Sequence, residues 1–285
     1  NPAAIKKVFS TKGRPSSHPL IVHLAAPDKF DQTQVDWVSL LSPWARHISE
    51  DALKLINAFW PGPLTLVFKK DKSVLNDLTG GQDTVAIRAP AHPIAQELLR
   101  KFKSGVVAPS ANRFGKVSPT SAADVRNEFE DTLDLMILDG GDCEVGIEST
   151  IIDCTKENPS ILRPGAITAE MVEQSTGIIV VEPDDKKVRV SGSHKQHYSP
   201  QAKVVIDGVA KPGEALIAMS EIKTPADVVR LAAPKNLEEY ARVLYAALRE
   251  ADKQGIATIN IAMPEGGGLA VAIRDRITRA AAAKE

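Results

Sequence analysis

Apolar positions change their spacing several times along the chain, and each change predicts an element. From Pro2 to Ser10, Ile5 and Phe9 lie four apart, on one face of a helix. The turn-rich run Ser10-Thr-Lys-Gly-Arg-Pro-Ser-Ser-His-Pro19 cannot continue that helix past Pro15. Leu20-Ile-Val-His-Leu24 then reads as a strand. Ser49 caps a second helix, with Glu50 and Asp51 in its first turn, Leu53, Ile56 and Trp60 on its buried face, and Pro61 as its stop. Leu64 to Phe68, Thr84 to Arg88, Val106-Val107, Leu135 to Leu138, Ile151 to Asp153 and Ile161 to Arg163 are further predicted strands. Ser121 with Asp124 marks one more helix start. Strands outnumber clear helices in this part, which favours a twisted mixed sheet with helices over simple βα alternation.

The pattern changes near residue 182. Pro183, quickly alternating charges, Gly192, His194, His197, Tyr198 and Pro200 describe a linker. Beyond it, Lys203–Ile206, Ala215–Met219, Val228–Leu231 and Ile256–Ile261 read as strands. Leu237 to Asp252 carries Leu237, Tyr240, Ala241, Leu244, Leu248 and Ala251 on one helical stripe, with Asn236 and Glu239 as a capping box. The expected organisation is a first α/β domain over 1–181, a linker over 182–200 and a smaller α/β domain over 201–285. The chain opens at Asn1-Pro2, directly in helical pattern, so a natural N-terminal portion is expected to precede it.

Composition narrows the classes. A formal net charge of −1 over 285 residues argues against a general polyanion binder and leaves room for a local basic cluster. Two cysteines in a long chain without a secretory signal are expected to be reduced thiols of a cytoplasmic protein. No apolar run approaches the roughly 18 residues of a membrane span.

Several chemistries lack their residues. There is no phosphate-binding Walker loop, no Gly-x-Gly-x-x-Gly after a first strand and no Gly-x-Ser-x-Gly elbow. Gly266-Gly-Gly268 precedes the last helix without a partner acid. His194 and His197 have no nearby third ligand, and the cysteines are too far apart for a zinc knuckle. What remains is a set of cations and hydroxyls on loops and strand ends: Lys12, Arg14, Arg88, Ser110, Ser118, Ser149 and Arg163. Lys12 and Arg14, placed on a loop either side of a glycine, read as solvated charges or as a clamp for phosphate or carboxylate. Arg88, closing a buried strand, reads as a structural ion pair or a ligand contact. Gly105 to Ser118 is a strand running into a polar loop of small residues, a plain strand exit or a ligand-presenting loop. No nucleophile stands out, which suits phosphoryl or nucleotidyl transfer by positioning and charge neutralisation.

Four stretches carry a resemblance. Lys12-Gly-Arg-Pro-Ser-Ser-His-Pro-Leu-Ile-Val-His23, Ala108-Pro-Ser-Ala-Asn112, Gly146-Ile-Glu-Ser-Thr-Ile151 and Leu162-Arg-Pro-Gly165 closely resemble the YrdC-type threonylcarbamoyl-AMP synthases. His197-Tyr-Ser-Pro200 and Gly268-Leu-Ala-Val-Ala-Ile-Arg-Asp-Arg276 match the family's long form, so the resemblance spans nearly the whole chain. It implies a YrdC-like twisted α/β sheet with a basic cavity, followed by a Rossmann-like domain. It also implies a reaction: L-threonine, bicarbonate and ATP, with Mg²⁺ expected from the chemistry, give threonylcarbamoyl-adenylate and pyrophosphate. The product would pass to a tRNA threonylcarbamoyl transferase, with at most weak contact to tRNA and none to a membrane.

By the same resemblance, Lys12 and Arg14 contact the phosphates with His18 beside them, at a position where Asn is commoner. Thr84, Ser110, Asn112, Ser118 and Arg163 line the ATP side. His23, Arg88 and Ser149 hold threonine, while Ala108 acts there only through its backbone. Tyr198 closes over the site as a lid and also meets ATP. The family's Pro-Thr-Glu-Thr-x-Tyr-Gly-Leu segment, with its threonine-binding hydroxyl, does not occur before Lys12. Metal ligands are not identified. The competing readings are an RNA-binding module and a nucleotide sensor without turnover.

Overall fold

Helix α1 (Pro2–Lys12) begins where Asn1 accepts backbone N–H groups from Ala3 and Ala4 and Pro2 fixes the first turn. It ends at Gly13, whose φ of 60° a side-chain-bearing residue adopts only under strain. Lys12 is therefore the last helical residue and not a loop residue as expected, because the glycine lets the helix run two residues further. The computed structural model describes residues 1–27, 36–132, 135–183, 188–192 and 198–282. They divide into two compact units, Asn1–Pro109 with Ser149–Ser193, and Ser110–Glu148 with His194–Glu285. The stretch 110–148 thus groups with the C-terminal residues.

The first unit continues with β1 (Ile21–His23), α2 (Trp37–Leu41), β2 (Ala45–Arg46), α3 (Glu50–Phe59), β3 (Leu64–Lys70), α4 (Asn76–Thr79), β4 (Thr84–Arg88), α5 (Pro93–Phe102) and β5 (Val106–Val107). The chain then forms α6 (Ala122–Glu128) in the second unit and returns for β6 (Thr150–Asp153), β7 (Ser160–Arg163) and α7 (Ala169–Thr176). Seven strands make one mixed sheet in the order β5-β1-β4-β3-β6-β7, with β2 beside β3. Strand alternation sorts its faces. Val22, Leu66, Phe68, Val85, Ile87 and Ile152 join Ile5, Leu55 and Ile56 in a large apolar core. On the other face Ile21, Val67, Ala86 and Ile151 make only a small apolar floor. That second face is where polar side chains find room.

The second unit holds β8 (Lys203–Ile206), β9 (Ala215–Ile217), β10 (Val229–Ala232), α8 (Leu237–Lys253), β11 (Thr258–Ile261) and α9 (Leu269–Ala281). Its four strands are all parallel, as expected of a Rossmann-like domain, but their order, β10-β9-β11-β8, sets the last strand between the first two, where the doubly wound order keeps the first two adjacent. The expected stripe of α8 is buried except at Leu237, which is half-buried. Asn236 caps it by accepting from Glu239 N, but the Glu239 carboxylate returns to Lys235 N, so the predicted box closes one residue early. Ser121 and Asp124 form their box as expected. Leu135 to Leu138 does not form the predicted strand: no described strand pairs with it, and Met136 is 85% exposed. An apolar run becomes a strand only beside an edge that takes up its backbone groups.

Gly146 fixes how this unit packs on itself. Its φ is 79°, and a Cβ there would lie 2.3 Å from the Arg242 Cα and 2.4 Å from the Ala241 carbonyl oxygen, both in α8. Gly146→Ala is expected to cost roughly 3 kcal/mol, combining left-handed strain with overpacking. Gly141→Ala, at a similar φ but with open space around it, is expected to cost about 1–2 kcal/mol from strain alone. Urea unfolding of both variants measures the difference; equal losses would mean that α8 does not press on Gly146.

Candidate active site

Three neighbouring strands put their chemistry on the open face of the first sheet. In the parallel pairing of β1 and β4, His23 sits opposite Arg88, and β5 places Val106 on the other side of His23. Thr84 and Arg88 share a face of β4 with Ala86, being two and four residues apart. On β6 and β7, Ile151 pairs with Arg163, which brings the arginine beside Ser149. Arg163 donates from Nε and Nη2 to the Ser149 carbonyl (3.1 and 2.7 Å), from Nη2 to Ser149 Oγ (3.1 Å) and from Nη1 to the Ser191 carbonyl (2.8 Å). Ser149 Oγ also shares a 2.8 Å hydrogen bond with Thr65 Oγ1, and Thr65 is fully buried on β3.

The charges here are unusual in what they lack. Arg14 is only 6% exposed; its Nη2 donates to the Pro19 carbonyl at 2.9 Å and more distantly to Ser191 Oγ, and its Nε is buried with no partner among the described residues. Arg88 donates from Nε to the Gly62 carbonyl at 2.9 Å, and its terminal nitrogens have no partner among the described residues. Neither forms an ion pair within that set. Burial pushes both guanidinium groups down to about 10, with Arg163 adding repulsion at Arg88. Burial, then the Arg88 charge, pushes His23 down to about 4, so its imidazole is neutral at pH 7. Buried cations without anions are costly, and an anionic ligand relieves that cost.

The remaining predicted residues fall elsewhere. Lys12 is buried at the end of α1 and His18 half-buried in the following turn. Ala108 is exposed, its N–H bonded to the Ile21 carbonyl. Ser110, Asn112, Ser118 and Tyr198 belong to the second unit. There Asn112 Nδ2 donates to the carbonyls of Arg113 and Lys116 at 2.7 and 3.0 Å and so ties its loop closed. Ser118 Oγ donates to Glu148 Oε1 at 2.7 Å. Tyr198 is fully buried, stacked on Tyr245 with the ring centres 5.3 Å apart. The resemblance implies a lid role for it; here the side chain packs against Tyr245 and Arg276.

Thr65, Ser191 and Glu148 were not singled out in the sequence. The signal for Thr65 was a lone hydroxyl inside the apolar run Leu64-Thr-Leu-Val67. Ser191 acts on partners far along the chain and leaves no local sign, whereas Glu148 lies within the quoted Gly146-Ile-Glu-Ser-Thr-Ile151 motif without a role assigned to it. Other chemistries are not built here. Burial raises the Cys143 thiol, aided by nearby acids, and raises Cys154 more strongly, so neither is activated. Among the described residues no group of three His, Cys, Asp or Glu could hold a metal. His194 and His197 lie outside the described residues. A cavity of about 840 Å³ in the second unit is lined by Lys116, Asp124, Glu128, Arg242 and Arg249 among others, and by none of the residues on the open sheet face.

Comparison with known proteins places these features in a lineage. The Sua5–YciO–YrdC family, described as "Telomere recombination", matches residues 1–165. The family described as "Threonylcarbamoyl-AMP synthase, C-terminal domain" matches residues 167–282. The chain is 38% identical to the threonylcarbamoyl-AMP synthase of Pyrococcus abyssi, covering 97% of this chain and 84% of that protein. It is 35% identical to the enzyme of that name in Bacillus subtilis, covering 99% and 84%. The crystal structure of P. abyssi Sua5 complexed with L-threonine superposes with a TM-score of 0.85 at 34% identity, covering 99% of this chain and 85% of that one. Two family matches in order, and relatives this similar over nearly the full length, show that the chain belongs to the Sua5–YciO–YrdC family in its two-domain, threonylcarbamoyl-AMP synthase form.

Proposed function

We propose that this protein makes threonylcarbamoyl-adenylate from L-threonine, bicarbonate and ATP, a product that matches the name, threonylcarbamoyl-AMP synthase, of its relatives. The observation that carries the proposal is the pair Arg14 and Arg88, charged groups taken out of water without an ion pair among the described residues. Every substrate in this reaction is or contains an anion, so each can supply the missing counter-charge. The chemistry runs in two steps. The threonine amine attacks bicarbonate to give a carbamate and water. A carbamate oxygen then attacks the α-phosphorus in line, forming the mixed anhydride as the P–O bond to pyrophosphate breaks.

The protein's part is placement. Arg88 takes the threonine carboxylate: Gly62 fixes its Nε, which leaves the two terminal nitrogens for a two-oxygen acceptor. Neutral His23 beside it accepts or donates a hydrogen bond without adding a third positive charge. Ser149, oriented by Arg163 and Thr65, faces the same substrate. Lys12, Arg14 and His18 serve the phosphates, and Thr84, Ser110, Asn112, Ser118 and Arg163 serve the nucleotide. Mg²⁺ travels with the triphosphate in this scheme, since no described cluster offers it ligands. The product goes to a transferase acting on tRNA in the cytoplasm. The catalytic domain over 1–181 and the smaller domain over 201–285 are read as the two functional parts.

The direct test is pyrophosphate release by the full-length gene product with ATP and bicarbonate, amino acid by amino acid. Release that requires L-threonine supports the proposal. Release without it, or salt-sensitive tRNA binding with no turnover, would replace it with one of the rival readings. Arg88→Ala is expected to raise the threonine KM roughly 100-fold while the ATP KM moves less than about threefold. His23 also carries a pH signature. Its folded value of about 4 lies below its ordinary 6.5, so the unfolded chain binds more protons between those limits and stability falls as pH drops through them. The stability advantage of wild type over His23→Asn should therefore shrink from pH 7 to pH 5 in chemical denaturation; a constant difference would contradict a neutral buried imidazole.

A further inference from the structure

Arg276 is fully buried, yet it lies on the apolar stripe of α9 with Ala272, Ile273, Ile277 and Ala280. A fully buried arginine is rare and persists only where its donors are matched. Its Nε donates to Glu148 Oε2 at 2.9 Å, and its Nη1 to Asp275 Oδ2 at 2.6 Å. Its guanidinium carbon lies 5.4 Å from the Tyr198 ring centre, in cation–π range. Tyr245 OH donates to the same Glu148 Oε2 at 2.9 Å and stacks on Tyr198. The other Glu148 oxygen takes the Ser118 hydroxyl. One carboxylate thus joins α8, α9 and the loop that ends at Ser118, while Tyr198 contacts both Tyr245 and Arg276.

A second contact holds the same loop. Arg249 on α8 donates from Nη2 to the Val117 carbonyl at 2.5 Å and to Glu128 Oε2 at 2.9 Å. Ser199 N bonds the Gly115 carbonyl at 3.0 Å, so the residue after Tyr198 is tied to the turn before Ser118. Every one of these groups belongs to the second unit. A domain needing only a stable core would fill these positions with apolar side chains, which is often neutral or stabilising. The polar groups spend stability on geometry, and the geometry they fix is that of Ser118 and Tyr198.

We propose that Arg276 is a positioning residue: through Glu148 and Tyr198 it holds Ser118 and the C-terminal end of the linker in the arrangement that receives the nucleotide. This gives the C-terminal domain a specific task, the presentation of nucleotide-side residues carried by its own unit. The inference rests on the proposed function for the nucleotide, ATP, and for the placing of Ser118 and Tyr198 on its side of the site. It does not depend on which amino acid is carbamoylated.

The experiment compares the full-length wild type with Arg276→Met, Arg276→Lys, Glu148→Gln and Leu248→Ala. Leu248 is a buried core residue of the same unit outside the network, so Leu248→Ala reports plain destabilisation. Melting temperature, kcat and the KM for each substrate are measured. The expected result is an ATP KM raised about tenfold or more by Arg276→Met, with the threonine KM within about twofold and partial recovery in Arg276→Lys. Leu248→Ala should lower the melting temperature without moving either KM. The double variant Arg276→Met/Glu148→Gln should weaken ATP no further than the worse single variant. If Arg276→Met does not fold, Glu148→Gln carries the test, since it keeps an acceptor for Ser118 but removes the charge. If the wild type does not turn over threonine, calorimetric ATP binding by the same variants decides the matter separately. An unchanged ATP affinity, or equal effects of Arg276→Met and Leu248→Ala, overturns the proposal.

Discussion

A guanidinium group taken out of water without an anion is the condition to which this structure answers. Arg14 and Arg88 are held in place by carbonyl oxygens, of Pro19 and Gly62, and not by carboxylates among the described residues. A carbonyl satisfies a hydrogen bond without cancelling the charge, so the positive potential stays available. A carboxylate of the protein in either place would give a stable ion pair and an inert surface. The sheet makes the arrangement tolerable by burying its other face in a large apolar core, which supplies the stability that the polar face does not.

The second unit solves a different problem with opposite means. There the buried arginine is matched by Glu148, Asp275 and two tyrosine rings, and nothing is left over for a ligand. The contrast separates two uses of the same side chain. Arg14 and Arg88, held by carbonyls, keep an uncancelled charge, whereas Arg276 is matched by Glu148 and Asp275. The chain passes from one compact unit to the other between Glu148 and Ser149, so adjacent residues of one motif contact Arg276 in the second unit and Arg163 in the first. Gly146, two residues earlier, has no room for a side chain against α8.

Much of the sheet was readable from local pattern. Thr84 to Arg88 and Ile161 to Arg163 were each readable as a strand ending in a cation; alternation puts Arg88 on the open face, but Arg163 reaches it only through a register shift beside Ile151. The helix at Ser49 and the stripe of α8 followed from caps and spacing. Where reading failed, the decisive partner was distant. Leu135 to Leu138 has strand composition but no strand beside it among the described residues. Lys12 was carried into the helix by the backbone freedom of the next residue. Glu148 and Arg276 are 128 residues apart, and no periodicity spans that distance. The resemblance gave roles to Ser118 and Tyr198; Glu148 and Arg276 lie inside its motifs without a role, and Tyr245 lies outside them.

The central claim is that Arg14 and Arg88 are left without a protein anion because a substrate supplies one. A crystal structure of the full-length protein with L-threonine and an unreactive ATP analogue tests it most directly. The account predicts the threonine carboxylate within hydrogen-bond distance of the terminal nitrogens of Arg88, and a phosphate oxygen against Arg14. A protein carboxylate paired with either arginine, with the substrates bound elsewhere, would contradict it.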